Sequence, residues 1–183
     1  MNSRRDFLFK SSLFCTGALL LPNISLANAP KRVYGVQLYS FRDDMGNDAK
    51  GTLKKIASLG IKEIESAKSS KGHYYGLSPE AMKSTCDELG MTLKSGHVRL
   101  DNDFEKTMEE AVAAGQEYLI CSSMPSNGQT VDNYKKVAEA FNKAGESCKK
   151  LGIKFGYHNH EYEFESDNGE VLYDVLMDNT QPD

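Results

Sequence analysis

The sequence predicts an α/β fold whose strands form a parallel sheet. Three observations indicate this fold. Short apolar runs of strand length alternate with longer segments of helical period from Lys31 onwards. A glycine ends most of the predicted helices, and a strand follows at once. Polar side chains gather where the predicted strands end, which is the edge at which α/β folds bind ligands.

An internal repeat supports the alternation of helix and strand. Its copies are Leu59-Gly60-Ile61, Leu89-Gly90-Met91 and Leu151-Gly152-Ile153, with Ala114-Gly115 as a weaker copy. Each copy is typical of a helix that ends at a left-handed glycine and leads directly into a strand. The glycines are spaced by 25 to 37 residues, which is the size of one βα unit. The repeat therefore predicts successive βα units.

The individual elements follow from apolar periodicity and turn residues. Five strands are predicted over short apolar runs: Val33–Tyr39, Ile61–Glu65, Met91–His97, Tyr118–Ser123 and Ile153–His158. Five helices are predicted where apolar residues recur at helical spacing: Asp48–Leu59, Ser78–Leu89, Asp103–Ala114, Thr130–Leu151 and Glu170–Met177. Ser78 followed by Pro79 is a strong helix start, because serine caps the helix and proline suits its first position.

Two architectures are built from such units. A doubly wound nucleotide-binding sheet needs a glycine-rich turn after its first strand, whereas Ser40–Asp44 offers no phosphate cradle. We interpret Asp43 and Asp44 as a solvated turn. A TIM barrel needs no such turn, but it needs eight units and about 250 residues. The prediction is therefore α/β, an incomplete TIM (β/α)8 barrel with about five βα units, whose last strands lie beyond Asp183.

The first 29 residues have the features of a twin-arginine signal peptide. Ser3-Arg4-Arg5-Asp6-Phe7 precedes an apolar run, Ser12–Leu21, and Ala27-Asn28-Ala29 is a small-x-small cleavage site. The alternatives are an N-terminal helix of the fold or a membrane anchor, but the apolar run is short for a span. We expect residues 1–29 to direct export to the periplasm and to leave no stable membrane anchor. Residues 30–183 then form the barrel segment.

Composition narrows the classes of partner. The formal net charge is −4 and the sequence has no basic stripe, so nucleic acid is not an expected partner. Outside the predicted signal, Cys86, Cys121 and Cys148 are far apart and lack metal-ligand spacing. We interpret them as buried thiols in helices and a strand, not as a disulfide framework.

The candidate site consists of polar residues at the ends of the predicted strands. Glu65 is placed to act as a base, although it could instead pair with a lysine at the rim. His97 is a candidate catalytic imidazole or a buried, hydrogen-bonded histidine. His158 and His160 would share one face of a regular strand, which is a familiar metal-ligand geometry. The alternatives for this pair are one ligand beside one hydrogen-bonding histidine, or two histidines that hold substrate.

The order and spacing of several segments resemble the sugar phosphate isomerase/epimerase family of xylose isomerase-like TIM barrels. The similar segments are Gly35-Val36-Gln37-Leu38-Tyr39-Ser40, Leu59-Gly60-Ile61-Lys62-Glu63-Ile64-Glu65, Tyr75-Gly76-Leu77-Ser78-Pro79, Ser95-Gly96-His97 and Tyr157-His158-Asn159-His160-Glu161-Tyr162-Glu163-Phe164. The resemblance implies a divalent metal, Mn, Zn, Co or Mg, at the barrel mouth. His158 stands where many relatives carry a glutamate ligand, and the other ligands would lie beyond Asp183.

The resemblance also implies roles for individual residues. Glu65 and His97 match positions that often face the substrate, and we predict both as catalytic. Tyr39, His73, Tyr75 and His160 are predicted to bind substrate. The loop that contains His73 and Tyr75 would form a wall or lid, with tyrosine faces available to a sugar ring.

The implied chemistry is proton movement beside a sugar carbonyl, assisted by the metal. We expect a sugar isomerase or epimerase. The alternatives are a keto-sugar lyase or dehydratase and a sugar-binding barrel without catalysis. Export favours a free sugar, an oxidised sugar or a glycoside as the partner. We expect the chain as given to be inactive alone, and its oligomeric state is left open.

Overall fold

The computed structural model describes residues 32–181, and the part from Val33 onwards belongs to one compact unit. The predicted signal peptide, residues 1–29, lies outside the described residues. The described residues form seven strands: β1 (Gly35–Gln37), β2 (Glu63–Ala67), β3 (Thr92–Val98), β4 (Tyr118–Cys121), β5 (Lys154–Tyr157), β6 (Ser166–Asp167) and β7 (Glu170–Val171). The first five form one parallel sheet in sequence order. The predicted α/β class and the five βα units are confirmed.

Six α-helices accompany the sheet in the described part of the chain. They are α1 (Arg42–Asn47), α2 (Ala49–Ser58), α3 (Pro79–Glu88), α4 (Phe104–Ala113), α5 (Val131–Lys150) and α6 (Leu172–Asn179). Side-chain oxygens of Asp48, Ser78 and Thr130 accept backbone N–H groups at the starts of α2, α3 and α5. These caps satisfy donors that the first turn of a helix leaves unpaired.

The glycine repeat has the conformation that the sequence predicts. Gly60, Gly90, Gly115 and Gly152 have φ angles of 84°, 65°, 70° and 75°. This left-handed region favours glycine, because a side chain there would crowd the following carbonyl. Each glycine therefore ends a helix and turns the chain towards the next strand, so that the βα unit recurs.

The apolar core lies between the helices and one face of the sheet. Fully buried residues include Leu53 from α2, Ile64 from β2, Met82 from α3 and Leu119 from β4. The opposite face of the sheet carries partly exposed polar side chains. We call it the inner face, and it contributes to the candidate site.

A β-bulge at Lys94 decides which side chains of β3 reach the inner face. Ile64 pairs with Leu93, but the next residue of β2, Glu65, pairs with Ser95, so Lys94 is an extra residue. Leu93 faces the helices, and alternation alone would send Ser95 and His97 the same way. The bulge reverses the alternation, and both side chains project from the face that bears Glu65.

The structure corrects several boundaries. β1 ends at Gln37 and is followed by a 3-10 helix over Leu38–Phe41. Asp43 and Asp44 are solvent-exposed, as predicted, but they lie in the first turn of α1 and not in an irregular turn. The last predicted helix begins later than expected, at Leu172, because the β6–β7 hairpin precedes it. The other predicted elements match the structure to within two residues at each end.

The three cysteines of the described chain are free and buried, as predicted: Cys86 in α3, Cys121 in β4 and Cys148 in α5. Burial raises the pKa of the Cys86 and Cys148 thiols to about 11, so both stay protonated. Between residues 32 and 181, no helix is long and apolar enough to cross a membrane.

Candidate active site

Glu65 lies on the inner face of β2 with its carboxylate held by two neighbours. Gln37 Nε2 donates to Oε1 over 2.6 Å, and Ser95 Oγ donates to Oε2 over 2.6 Å. Among residues 32–181, these two side chains, and not a rim lysine, hold the carboxylate. Hydrogen bonds from two adjacent strands fix the orientation of the carboxylate, and each oxygen keeps a second lone pair for a ligand.

Gln37 and Ser95 are site residues that the sequence prediction missed. Both lie within segments of the family resemblance, but neither is titratable, so no chemical signal singled them out. Their strand register could have found them, because Gln37, Glu65 and Ser95 form one row across β1, β2 and β3.

His97 lies two residues after Ser95 on the same face of β3. Burial lowers the pKa of its imidazole, the nearby His158 and His160 act in the same direction, and the Glu65 carboxylate opposes them. Its Nε2 atom is buried and has no hydrogen-bond partner among residues 32–181. A buried polar atom without a partner is costly, so this nitrogen is available to a ligand.

The three strand-end imidazoles pack edge to face. The ring centroids of His97 and His158 are 4.8 Å apart, and those of His158 and His160 are 4.9 Å apart. The expectation that His158 and His160 share one face of a strand is wrong, since β5 ends at Tyr157. Their proximity comes instead from the irregular segment after the strand. We call Glu65, His97, His158 and His160 the strand-end cluster.

A buried carboxylate holds that irregular segment in place. Glu163 is fully buried, its Oε2 accepts the backbone N–H of His160 over 2.6 Å, and its Oε1 accepts the hydroxyl of Tyr157. Glu163 belongs to a 3-10 helix, Glu161–Phe164, that His160 caps. Of the two glutamates in this segment, Glu163 is buried and Glu161 is exposed.

The loop that contains His73 offers no open tyrosine face, so the expected tyrosine wall is wrong. Tyr74 is buried, and Tyr75 is only 4% exposed. The Tyr75 hydroxyl is buried without a hydrogen-bond partner in the described chain, so a substrate role for Tyr75 would depend on that oxygen. Tyr39 is exposed after β1, and the Arg42 guanidinium lies 4.8 Å from its ring centroid.

His73 is placed near charged groups outside the strand-end cluster. Burial lowers the pKa of its imidazole and Lys68 acts in the same direction, whereas Glu110 and Asp101 oppose them. Its Nε2 has no partner within the described residues. No ring contact or hydrogen bond found among these residues joins His73 to the strand-end histidines. Its substrate role stays a prediction.

A second polar network lies on the other face of β2 and β3. Gln116 donates through Nε2 to Ser66 Oγ over 3.0 Å and to the Ser95 carbonyl oxygen over 2.6 Å. Its Oε1 accepts the Tyr74 hydroxyl over 3.0 Å. A Cβ at Gly96 would lie 2.9 Å from Gln116 Nε2, so only glycine lets the amide approach this closely. The network anchors the backbone of Ser95 directly behind the Glu65 carboxylate.

A separate cavity lies away from this network. A groove of about 630 Å³ runs along β5 between α5 and α6, and its lining includes Phe141, Tyr173 and Leu176. It contains none of the strand-end cluster. We place the candidate active site at that cluster, because the cluster and not the groove brings a carboxylate and imidazoles together.

Across residues 32–181, no group of three His, Cys, Asp or Glu side chains is arranged to hold a metal ion. His158 is exposed directly after β5 and presents an imidazole, which is a suitable ligand type for Zn. Its donor chemistry therefore fits a contribution of one ligand.

Comparisons with known proteins give a consistent picture of the fold. No protein-family model matches the chain, and no curated protein matches it. Among solved structures, it is similar to a sugar phosphate isomerase/epimerase from Parabacteroides distasonis, with 25% identity, a TM-score of 0.72, and coverage of 82% of this chain and 66% of that one. A second such protein from the same organism shows 24% identity, a TM-score of 0.68 and coverage of 86% and 67%.

A further neighbour is D-psicose 3-epimerase with D-tagatose, from Clostridium cellulolyticum, with 14% identity and a TM-score of 0.50. The match covers 68% of this chain and 51% of the epimerase. The fold is therefore that of a partial TIM barrel. The chain spans about two thirds of the length of the first two neighbours. Its structural neighbours are sugar isomerase/epimerase and xylose isomerase-like domain proteins.

Proposed function

We propose that the complete protein is an enzyme that moves a proton next to a carbonyl of a sugar or sugar derivative, as an isomerase or epimerase. The observation that carries this proposal is the juxtaposition of Glu65 and His97 on one face of neighbouring strands. The sugar isomerase/epimerase neighbours support the same general kind of function. Such chemistry needs one group that accepts a proton and a second that donates or stabilises one.

Glu65 is the proposed base. Gln37 and Ser95 orient its carboxylate, and the oxygens keep lone pairs for a carbon-bound proton of the substrate. His97 is the proposed partner at the substrate oxygens. Because burial and the neighbouring imidazoles lower the pKa of His97, its ring is neutral near pH 7 and can either donate or accept a proton.

We propose His158 as the one ligand that this part of the chain gives to a divalent metal, Mn, Zn, Co or Mg. When bound, such a metal polarises vicinal oxygens and stabilises an enediolate. His160 is the proposed substrate contact beside it, because their rings are 4.9 Å apart. Export through the twin-arginine pathway remains part of the proposal, on the basis of residues 1–29.

A second candidate is a barrel that binds a sugar without changing it. The observation that favours it is the engagement of both Glu65 oxygens. A carboxylate held in this way can accept hydrogen bonds from sugar hydroxyls without taking a proton from carbon. This candidate predicts saturable binding of a sugar with no chemical turnover.

The test uses the full-length, signal-cleaved protein and its His158→Ala variant. Metal content is measured first, and keto- and aldo-sugars are then screened for isomerisation. About one metal per chain that is lost in the variant, together with turnover of a sugar, supports the proposal. Metal retained by the variant moves His158 to a substrate contact. Enone formation without an epimer indicates a lyase instead.

A further inference from the structure

Glu65 and its two hydrogen-bond partners form a row across three neighbouring strands of the inner face. Gln37 of β1 pairs with Glu65 of β2, and Glu65 pairs with Ser95 of β3. Adjacent strands lie about 4.8 Å apart, so the row extends over about 10 Å. A ligand that lies along the row can therefore meet all three side chains. We call these three residues the polar row.

The Glu65 carboxylate determines which hydrogen bonds the polar row has left to offer. It can only accept, and it takes one hydrogen bond from Gln37 Nε2 and one from Ser95 Oγ, each over 2.6 Å. Ser95 has then donated its only proton, so its oxygen can only accept from a ligand. Gln37 retains its amide oxygen as an acceptor and one N–H as a donor. The remaining capacity of the row is therefore mainly that of acceptors, which suits the hydroxyl groups of a sugar.

The negative charge of the polar row is not offset within it. Both groups that hold the Glu65 carboxylate are uncharged side chains. Among the basic side chains that follow these strands, Lys68 is paired with Asp101 over 2.9 Å, and Arg42 and Arg99 are exposed to solvent. A carboxylate or phosphate on the row would meet a like charge, whereas a hydroxyl group would meet an acceptor.

We propose that the polar row selects an uncharged sugar, whose hydroxyl groups donate to Glu65 and Ser95, over sugar acids and sugar phosphates. This inference rests on the proposed function, because it places the substrate on the inner face. It narrows the substrate class, since the oxidised and phosphorylated sugars would bring a second negative charge to Glu65. Two like charges about 4 Å apart near a protein surface weaken binding by about fivefold or more.

Ligands that cannot be isomerised test this selectivity separately from turnover. The complete protein is titrated calorimetrically with pentitols and hexitols, and with the aldarates of the same carbon skeletons, which carry a carboxylate at each end. The titrations use the protein as purified and after treatment with a chelator, so that a metal-bound carboxylate is recognised. We expect each alditol to bind more tightly than its aldarate by about fivefold or more.

Variants separate the charge of the row from its hydrogen bonds. Glu65→Gln removes the charge, so the ratio of the aldarate to the alditol dissociation constant should fall by about fivefold or more. Glu63→Gln is the control, because Glu63 lies at the start of β2 and outside the row, and it should leave the ratio unchanged. Ser95→Ala keeps the charge but loses an acceptor, so alditol binding should weaken by about two- to tenfold while the ratio is retained.

The outcomes distinguish the selectivity from the proposed function. The selectivity is overturned by aldarates that bind as tightly as the alditols, by a ratio that Glu65→Gln does not change, or by alditols that do not bind at all. A preference for alditols in a protein that turns over no aldose or ketose leaves the selectivity standing and counts against the proposed function.

Discussion

Two polar networks lie on opposite faces of β2 and β3, and they differ in how completely their atoms are satisfied. Behind the sheet, Gln116 is 6% exposed and bonds to Tyr74, Ser66 and the Ser95 carbonyl. On the inner face, His97 Nε2 is buried without a partner among the described residues. The first network is complete without a ligand, whereas the second leaves an atom available for one.

This difference distinguishes polar groups that stabilise the fold from polar groups that are available to a ligand. Buried polar groups that are fully paired specify packing. Removal of one partner leaves the other buried groups without a hydrogen bond, and their desolvation then destabilises the fold. An unpaired nitrogen beside a carboxylate and other imidazoles has no such structural explanation. We therefore expect variants behind the sheet to alter stability and variants on the inner face to alter turnover.

The largest effect is expected for Glu65→Gln in the complete protein. Turnover should fall by about 10²- to 10⁴-fold, because the amide cannot accept a proton from carbon. Stability should change little, since an amide can still accept from Gln37 and can donate to Ser95. Steady-state kinetics and thermal unfolding measure the two effects.

Glu63→Gln is the matched control for this variant, because it removes the same charge from the same strand. Equal loss of turnover in both variants, or none in Glu65→Gln, would contradict the base assignment.

Gln116→Leu should be the most destabilising of the variants behind the sheet. It leaves the hydroxyls of Tyr74 and Ser66 without their shared partner, which costs about 1–3 kcal/mol for a buried unpaired group. Urea denaturation measures the loss. The exposed neighbour Glu117 is the control, and Glu117→Gln should stay within about 1 kcal/mol of the unmodified chain, because it loses only a solvent-exposed pair with Lys94.

Gly96→Ala tests the same network by insertion. The added methyl group would lie 2.9 Å from Gln116 Nε2 and 3.1 Å from Ser66 Oγ, so the buried amide must shift. Overpacking of this kind costs about 1–3 kcal/mol. Gly145→Ala on α5 meets no atom within 4 Å and should stabilise by about 0.4–1 kcal/mol. We expect the denaturant midpoint to fall in Gly96→Ala and to rise in Gly145→Ala. Destabilisation by both variants to the same extent would argue against the close approach of Gln116 to Gly96.

The smallest predicted effect concerns pH and His73. Burial lowers the pKa of the folded His73 below its unfolded value of about 6.5, so the unfolded state binds the proton more readily. This difference in pKa contributes to the free energy of unfolding above the unfolded pKa, and the contribution is lost as the pH falls through the folded pKa. His73→Gln should flatten this acid loss in denaturant midpoints. A loss that is identical with and without the histidine would show that other groups cause it.

The fold was predictable because it follows from local rules. Gly60, Gly90 and Gly152 mark helix ends, and the apolar runs that follow are too regular to be loops. The predicted convergence of Glu65, His97, His158 and His160 is present in the structure. Their chemical roles remain predictions.

The remaining features depend on geometry that periodicity does not encode. Regular alternation after Leu93 would place His97 on the helix side, and only the bulge at Lys94 turns it inward. The burial of Glu163 depends on an irregular segment after β5. Asn168-Gly169, by contrast, carries a hairpin signal that the sequence prediction passed over, and both residues have positive φ angles of 51° and 86°.

Solvent-hydrogen exchange into a bound sugar distinguishes proton transfer by Glu65 from sugar binding alone. The complete protein is incubated with candidate keto- and aldo-sugars in D2O, and deuterium at the carbon beside the carbonyl is followed by NMR. We expect incorporation by the unmodified protein and its loss in Glu65→Gln, with Glu63→Gln unaffected. Saturable sugar binding without any incorporation would contradict this expectation and establish the protein as a binding barrel.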